Sequence, residues 1–453
     1  MRRWSIALCL TALCLTALCA CAKEQPAPPR EADGAAADEI APAKAEAPVW
    51  RYEVETASEV FEHTAADGTV IATKKTELPR LTLKCDGDAA GQEPPEDMQA
   101  VCDAFNSGAT VPELWDIDVF KEAEGQYEWK KLEDIEFFPL ADELTVEKVY
   151  RSGDLLSVLG QAYVDLGGAH PDWGYVSWNF DLAAGGFFTP VSLTNDPEAL
   201  RGTIVDEVVS EIYSSEWYEG YYEDFEEILR AKEDFAAFFD EGGMTVYFEE
   251  YEIAPHALGV PEFTIPYAKL SRYLNERGAR LLDLSVEDRV MGDYYEAEEM
   301  WTWFDGNMPL DDTDIRTVPS AEADYDIQYY RAAVPDVTTL AELREKLLTR
   351  FSEAAADRRM EMAVNAEYPL LREFDGALYV LPAGRGDDLT IASVDYAVET
   401  GGGTNGKIVV TVHRRDFDEE TGELGLTGET DTVELPFVLT EDGARFTEFE
   451  SIW

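Results

Sequence analysis

The sequence predicts an α+β fold: two mixed domains with antiparallel sheets, placed behind an export signal and a polar tether. Three observations predict it. Apolar/polar alternation at a period of two comes in blocks bounded by Gly, Pro and Asp, as half-buried strands require. Helical spacing is confined to separate stretches, above all Leu200, Ile204, Val208 and Ile212, and Leu340, Leu343, Leu347 and Phe351. Strands and helices segregated in this way argue for α+β rather than a wound parallel sheet.

The first twenty residues carry Arg2 and Arg3 ahead of a short apolar core, the layout of a secretory signal too short to span a bilayer. The core ends in Leu18-Cys19-Ala20-Cys21, which resembles the lipobox of bacterial lipoproteins. That resemblance implies cleavage before Cys21 and acylation of its thiol. Each buried acyl methylene contributes about 0.8 kcal/mol, so the protein would sit lipid-anchored on the extracellular face of a membrane. Residues 21–48 are rich in Ala, Pro, Glu and Asp and are expected to be a disordered tether.

Residues 49–304 are expected to form the first domain. Alternation from Trp50 and again from Val70, around the turn Ala66-Asp67-Gly68, predicts a β-hairpin. Residues 95–105 fit a helix carrying Cys102. Strands are expected over 155–166 and 174–181, helices over 196–213 and 217–239, and further strands over 245–250 and 263–267. The Asp/Thr/Pro-rich stretch 305–324 is read as a linker. In the second domain, 325–453, Thr339-Leu-Ala-Glu342 is a capping box, and three alternating runs after Asp375-Gly376 predict an antiparallel sheet.

The formal net charge is -57, from 93 acidic and 36 basic side chains. Such a surface repels nucleic acid and attracts cationic proteins, over only about 8 Å at physiological salt. Cys85 and Cys102 are the two cysteines left after the signal and Cys21. An even pair outside the cytoplasm predicts a disulfide, worth roughly 3 kcal/mol.

Several catalytic and metal patterns fail on context. GGGTNGK at 401–407 lacks the hydroxyl of a phosphate loop and joins two strands. The four histidines, His63, His170, His256 and His413, show no metal-ligand spacing in sequence. Asp305, Asn307, Asp311, Asp312 and Asp314 cluster without EF-hand spacing. No nucleophile elbow is present. The expectation is a protein that is not an enzyme and needs no metal or cofactor.

Two stretches carry a family resemblance. LGGAHP at 166–171 with SWNFD at 177–181 and LTND at 193–196, then FEEYEIAP at 248–255 with GVPEFTIP at 259–266, resemble the signatures of one exported domain. It occurs in lysozyme-sensing anti-sigma factors and beside the catalytic domain of peptidoglycan deacetylases. Residues 340–351, YPLLREFDGALY at 368–379 and Gly384-Arg-Gly386 resemble the DL-endopeptidase inhibitor family, whose members block cysteine-type wall hydrolases without chemistry. The resemblances imply partner-binding residues Gly167, Gly168 and His170 in the first domain. In the second they imply the acidic loop Asp416, Asp418, Glu419, Glu420 and Glu423. The partner they imply is a cationic wall hydrolase or lysozyme. A different class, a peptidoglycan-binding adaptor stacking sugars on Trp217, Tyr221 or Trp301, is the alternative.

Overall fold

The computed structural model describes residues 49–86, 93–112, 117–215, 217–319, 326–366, 368–382, 388–417 and 424–452. The expected signal, Cys21, the expected tether and the loop residues Asp418, Glu419, Glu420 and Glu423 lie outside them. Residues 48–453 group as one compact unit. Among the described residues no helix is long and apolar enough to cross a membrane.

The fold is α+β. A six-stranded sheet runs in order β1 (Val49–Thr64), β2 (Val70–Asp86), β3 (Leu140–Ser152), β4 (Leu155–Asp165), β5 (Asp172–Asp181), β6 (Gly186–Phe187). All its pairs are antiparallel except β2–β3, where Ala72–Thr76 run beside Leu140–Leu144 in parallel. A parallel pair needs a long crossover, and α1 (Glu96–Gly108) and α2 (Val119–Leu132) lie in that connection. The hairpin and α1 follow the sequence expectation; α2 and β3 were not anticipated.

β4 is buried on both faces, so its sequence reads as a near-continuous apolar run. Leu156, Val158 and Phe180 pack on Phe105 and Cys102 of α1. The opposite face meets a three-stranded sheet of β7 (Ala237–Asp240), β8 (Gly243–Tyr247) and β9 (Glu262–Ile265). A buried polar clasp joins the two sheets. The Phe239 N–H donates to Ser157 Oγ, Ser157 donates to Asn179 Oδ1 (2.6 Å), and Asn179 Nδ2 donates to the Ala237 carbonyl (2.7 Å). Every member is satisfied, so the clasp fixes register without an unpaired buried group.

α3 (Pro197–Ser214) opens on Asp196, whose carboxylate accepts the Ala199 N–H, with Pro197 at the first helical position. Leu200, Ile204, Val208 and Ile212 are buried against β7–β9 as their spacing predicts. The expected helix 217–239 is instead a single 3₁₀ turn at Tyr218–Gly220, α4 (Phe225–Ala231) and then strand β7. Phe235, Ala237 and Phe239 alternate into the core, and tertiary packing of these residues overrides the helical reading. α5 (Tyr267–Leu270) and α6 (Glu276–Leu282) follow. α7 (Val286–Thr302) starts from a Ser285 capping box.

The expected boundary at 305–324 does not hold. Leu310–Val318 is strand β10, paired with β11 (Ile327–Ala332) in a sheet completed by β13 (Ala377–Val380) and β12 (Leu371–Phe374). β10 is an edge strand, and its aspartates blunt that edge rather than mark a linker. α7 belongs to the C-terminal core: Val290, Tyr294, Ala297 and Met300 pack with Leu343 of α8 (Leu340–Leu347), Ala355 of α9 (Glu353–Val364) and Phe446. The last sheet runs β14 (Ile391–Thr400), β15 (Asn405–Phe417), β16 (Leu424–Thr440), β17 (Gly443–Phe446). A Cβ added to Gly292 of α7 would lie 1.8 Å from Ser271 Oγ and 3.0 Å from the Ala268 carbonyl oxygen. The two halves therefore meet through a close-packed helix.

The expected disulfide is also corrected: Cys85 and Cys102 are free. Cys102 sits in the core beneath the sheet, 2% exposed, and burial pushes its thiol pKa up. Cys85 lies near the end of β2, partly exposed, with Asp86 beside it. A thiol enclosed by Leu81, Phe105 and Phe180 contributes by packing, as a small apolar side chain does.

Candidate functional site

The two quoted motifs, some eighty residues apart in sequence, meet in space. The first is the turn from β4 into β5. Gly167 adopts φ 69°, a left-handed conformation that glycine takes without strain, and its N–H donates to Asp165 Oδ1 (2.8 Å). Gly168 and His170 follow at the surface, with His170 Nδ1 3.2 Å from the Pro171 carbonyl oxygen. Asp172 begins β5, and Trp173, Tyr175 and Ser177 then point toward β8, where the Tyr247 hydroxyl donates to Ser177 Oγ (2.8 Å). Burial pushes the Tyr247 hydroxyl up to about 12, so it stays a donor.

The second motif is the loop after β8. Glu252 accepts the Glu249 N–H (2.9 Å) and pairs with Lys232, closing a turn in which Tyr251 holds φ 65°. A bulky residue there is strained, at a cost of about 1–3 kcal/mol, and Tyr251 nevertheless projects outward, 51% exposed. Glu250 points inward. Its side chain is 6% exposed, with Oε2 accepting the Trp173 N–H (3.3 Å) and Oε1 2.7 Å from His256 Nδ1.

His256 in turn stacks on His170, ring centroids 3.7 Å apart and planes 18° from parallel. His170 Nδ1 lies 3.8 Å from Asp172 Oδ1. Asp172, Trp173, Tyr175, Tyr247, Glu250 and Tyr251 enclose a pocket of about 200 Å³ beside the histidines. The 217–222 segment adjoins the same loop: the Tyr222 N–H donates to the Ile253 carbonyl (3.0 Å), and Gly220 packs on Leu258. Trp217 and Tyr218 are 63% and 45% exposed there.

A larger cleft, about 1000 Å³, lies along α7. Several of its charges are matched internally: Arg350 reaches Glu296 (2.6 Å) and Asp293 (3.1 Å), and Arg272 reaches Glu299 (2.7 Å). A cleft whose central charges already pair is a weaker candidate than one where two histidines and carboxylates from separate elements meet.

Of the expected binding residues, Gly167, Gly168 and His170 thus belong to one face. Asp416 is exposed near the end of β15 in the last sheet, a separate part of the fold. Asp172, Glu250, Tyr251 and His256 were missed as site residues, although all four lie in or directly beside the two motifs. The paired occurrence of a histidine next to proline, His170-Pro171 and Pro255-His256, was the available signal. The acidic run 305–314 does not converge: Asp305 binds Arg359 (2.8 Å), and Asp314 binds Arg316 and the Tyr379 hydroxyl.

Comparison with known families adds one match, over residues 193–268, to the model described as "Protein of unknown function (DUF3298)". A DUF3298 domain occupies that segment. It contributes α3, β7–β9 and the loop bearing Glu250, Tyr251 and His256; His170 and Asp172 come from outside it. No curated protein matches the chain. Among solved structures, a DUF3298 family member from Bacteroides fragilis is 14% identical, covering 50% of this chain and 94% of its own, with a TM-score of 0.37. A DUF3298 family protein from Pseudomonas aeruginosa is 16% identical, covering 50% and 96%, with a TM-score of 0.30.

Proposed function

We propose that this chain is an exported, lipid-anchored surface protein that acts by contact, docking on cationic cell-wall lytic enzymes of the lysozyme or DL-endopeptidase type and occluding or sensing them. One observation carries the proposal. The LGGAHP and EEYEIAP loops converge on a single face that presents Tyr251 to solvent with Asp172 and Glu249 near it, and the adjoining 217–222 segment exposes Trp217, Tyr218 and Glu219. Exposed aromatics ringed by polar groups are the composition of a binding centre, with the aromatic supplying contact area and the acids steering a cationic partner. The strain held at Tyr251 is consistent with a side chain displayed for use.

The test is muralytic activity. Full-length protein at saturating concentration is expected to slow lysozyme or a DL-endopeptidase on isolated walls; undiminished hydrolysis by both rejects the proposal. A peptidoglycan-binding adaptor remains the second reading because Trp217 is free to stack on sugar. Tyr221 is half-buried, and Trp301 lies under the Arg359 guanidinium at 4.4 Å. Retention on washed, enzyme-free walls that is lost in Trp217→Ala would favour that reading.

A further inference from the structure

We propose that His170, Asp172 and His256 form a binding site for a divalent transition-metal ion of the zinc type, with Glu250 as the residue that orients His256. This inference does not rest on the docking reading above. Among the described residues these three form the one group of His, Cys, Asp or Glu side chains spaced to hold a metal ion, each offering a ligand atom within 4.8 Å of the others.

The surroundings favour metal over a merely packed histidine pair. Glu250 is a nearly buried carboxylate whose Oε1 faces His256 Nδ1 at 2.7 Å. Both atoms are buried and neither has a hydrogen-bond partner in the present ring orientation, so a modest turn of the imidazole would complete a Glu250–His256 bond through Nδ1 and leave Nε2 for a metal. This is the carboxylate–histidine arrangement that stands behind metal-ligating imidazoles. His170 is treated likewise: its Nδ1 lies 3.2 Å from the Pro171 carbonyl, again leaving Nε2 as the donor. Two imidazoles and a carboxylate make an N₂O donor set, although with the rings stacked at 3.7 Å and 18° from parallel their in-plane lone pairs converge only once one ring swings out of the stack. Such a set suits zinc and its neighbours; calcium and magnesium prefer all-oxygen shells.

Bonds near 2.0–2.2 Å in a tetrahedron place ligand atoms roughly 3.3 Å apart, so the group must contract by about 1.5 Å at its widest. The ring that must both approach and turn out of the stack is His170, which is exposed and follows Gly167-Gly168. Three protein ligands leave a fourth position open. It would be filled by water or by a donor from a bound partner, beside the pocket under Tyr251.

The test uses the purified, metal-stripped full-length chain and Zn²⁺ or Co²⁺ alone. One tight Zn²⁺ per chain is expected by calorimetry, not displaced by excess Ca²⁺. Co²⁺ should give visible ligand-field bands without the near-ultraviolet thiolate charge-transfer band that cysteine ligation would add. His170→Ala, at an exposed position, and Asp172→Asn, at a half-buried one, should each weaken binding at least tenfold. Glu250→Gln should weaken it about 10–100-fold while the ligands stay in place. Binding that is absent, or unchanged in His170→Ala and His256→Ala, or accompanied by a thiolate band, overturns the proposal.

Discussion

Asp181 offers the sharpest test of how the site-bearing sheet is held. It ends β5, the strand that begins at Asp172, and its side chain is 0% exposed. Oδ1 accepts the Ala183 and Ala184 N–H groups at 3.1 and 3.0 Å; Oδ2 accepts Arg277 Nε at 2.9 Å and an Arg280 guanidinium N–H at 2.6 Å. Asp181→Asn keeps the first pair and loses the second, because an amide N–H₂ cannot accept from a guanidinium. Hydrogen bonds to charged groups contribute about 1.5–3 kcal/mol each. The two arginines are 32% and 39% exposed and recover part of this from water, leaving a loss of about 2–3 kcal/mol. With an unfolding entropy near 2.1 cal/mol/K per residue over about 400 residues, the melting temperature should fall by about 3 °C. Burial alone would raise the Asp181 pKa, but the Ala184 N–H, Arg280 and Arg277 more than offset it and the net value lies below the usual carboxylate range. The folded value being below the unfolded 3.8, this stabilisation is present above 3.8 and fades as pH falls through the lower folded value. Calorimetric melts of the two proteins should therefore differ at pH 7 and converge in strong acid. A variant melting within 1 °C of the parent at pH 7 would refute the reasoning.

Other perturbations probe the remaining joints. Gly292→Ala forces a methyl against Ser271 and the Ala268 carbonyl, and should destabilise by about 1–3 kcal/mol in urea titration. Glu298 is raised above the usual carboxylate range by burial, against the opposing Tyr294 hydroxyl and Lys269 ammonium. Its folded value exceeds the unfolded one, so its contribution is complete below the unfolded pKa and is lost as pH rises through the folded value. Glu298→Gln should thus match the parent near pH 4 and be the more stable at pH 8, read from melting temperature against pH. Tyr251→Gly relieves the left-handed strain, so stability should hold or rise by about 1 kcal/mol by urea midpoint while partner binding weakens.

Much of the fold was legible because local signals agreed with packing. The capping box at Thr339 forms with Glu342, the Leu200–Ile212 spacing lies buried, and the 401–405 glycine run turns β14 into β15. The helix expected over 217–239 failed where aromatics at helical spacing also suit a strand, a conflict that only the facing sheet resolves. The linker expectation failed because aspartates on an edge strand look like those of a loop. The disulfide expectation followed compartment alone, which says nothing of the apolar enclosure around Cys102. At the site, the glycines and His170 could be named from their motif, but the partnership of His170 with His256 depends on β5 and the loop after β8 lying side by side. No spacing in the chain encodes that proximity.

The central claim is that the face joining the two loops is a docking surface. The most direct measurement is the dose dependence of lysozyme and DL-endopeptidase inhibition for the full-length parent and for Trp217→Ala/Tyr251→Gly. The account predicts inhibition by the parent and at least a tenfold weaker effect from the double variant, with both proteins melting alike. Equal inhibition by the two, or none by the parent, would contradict it.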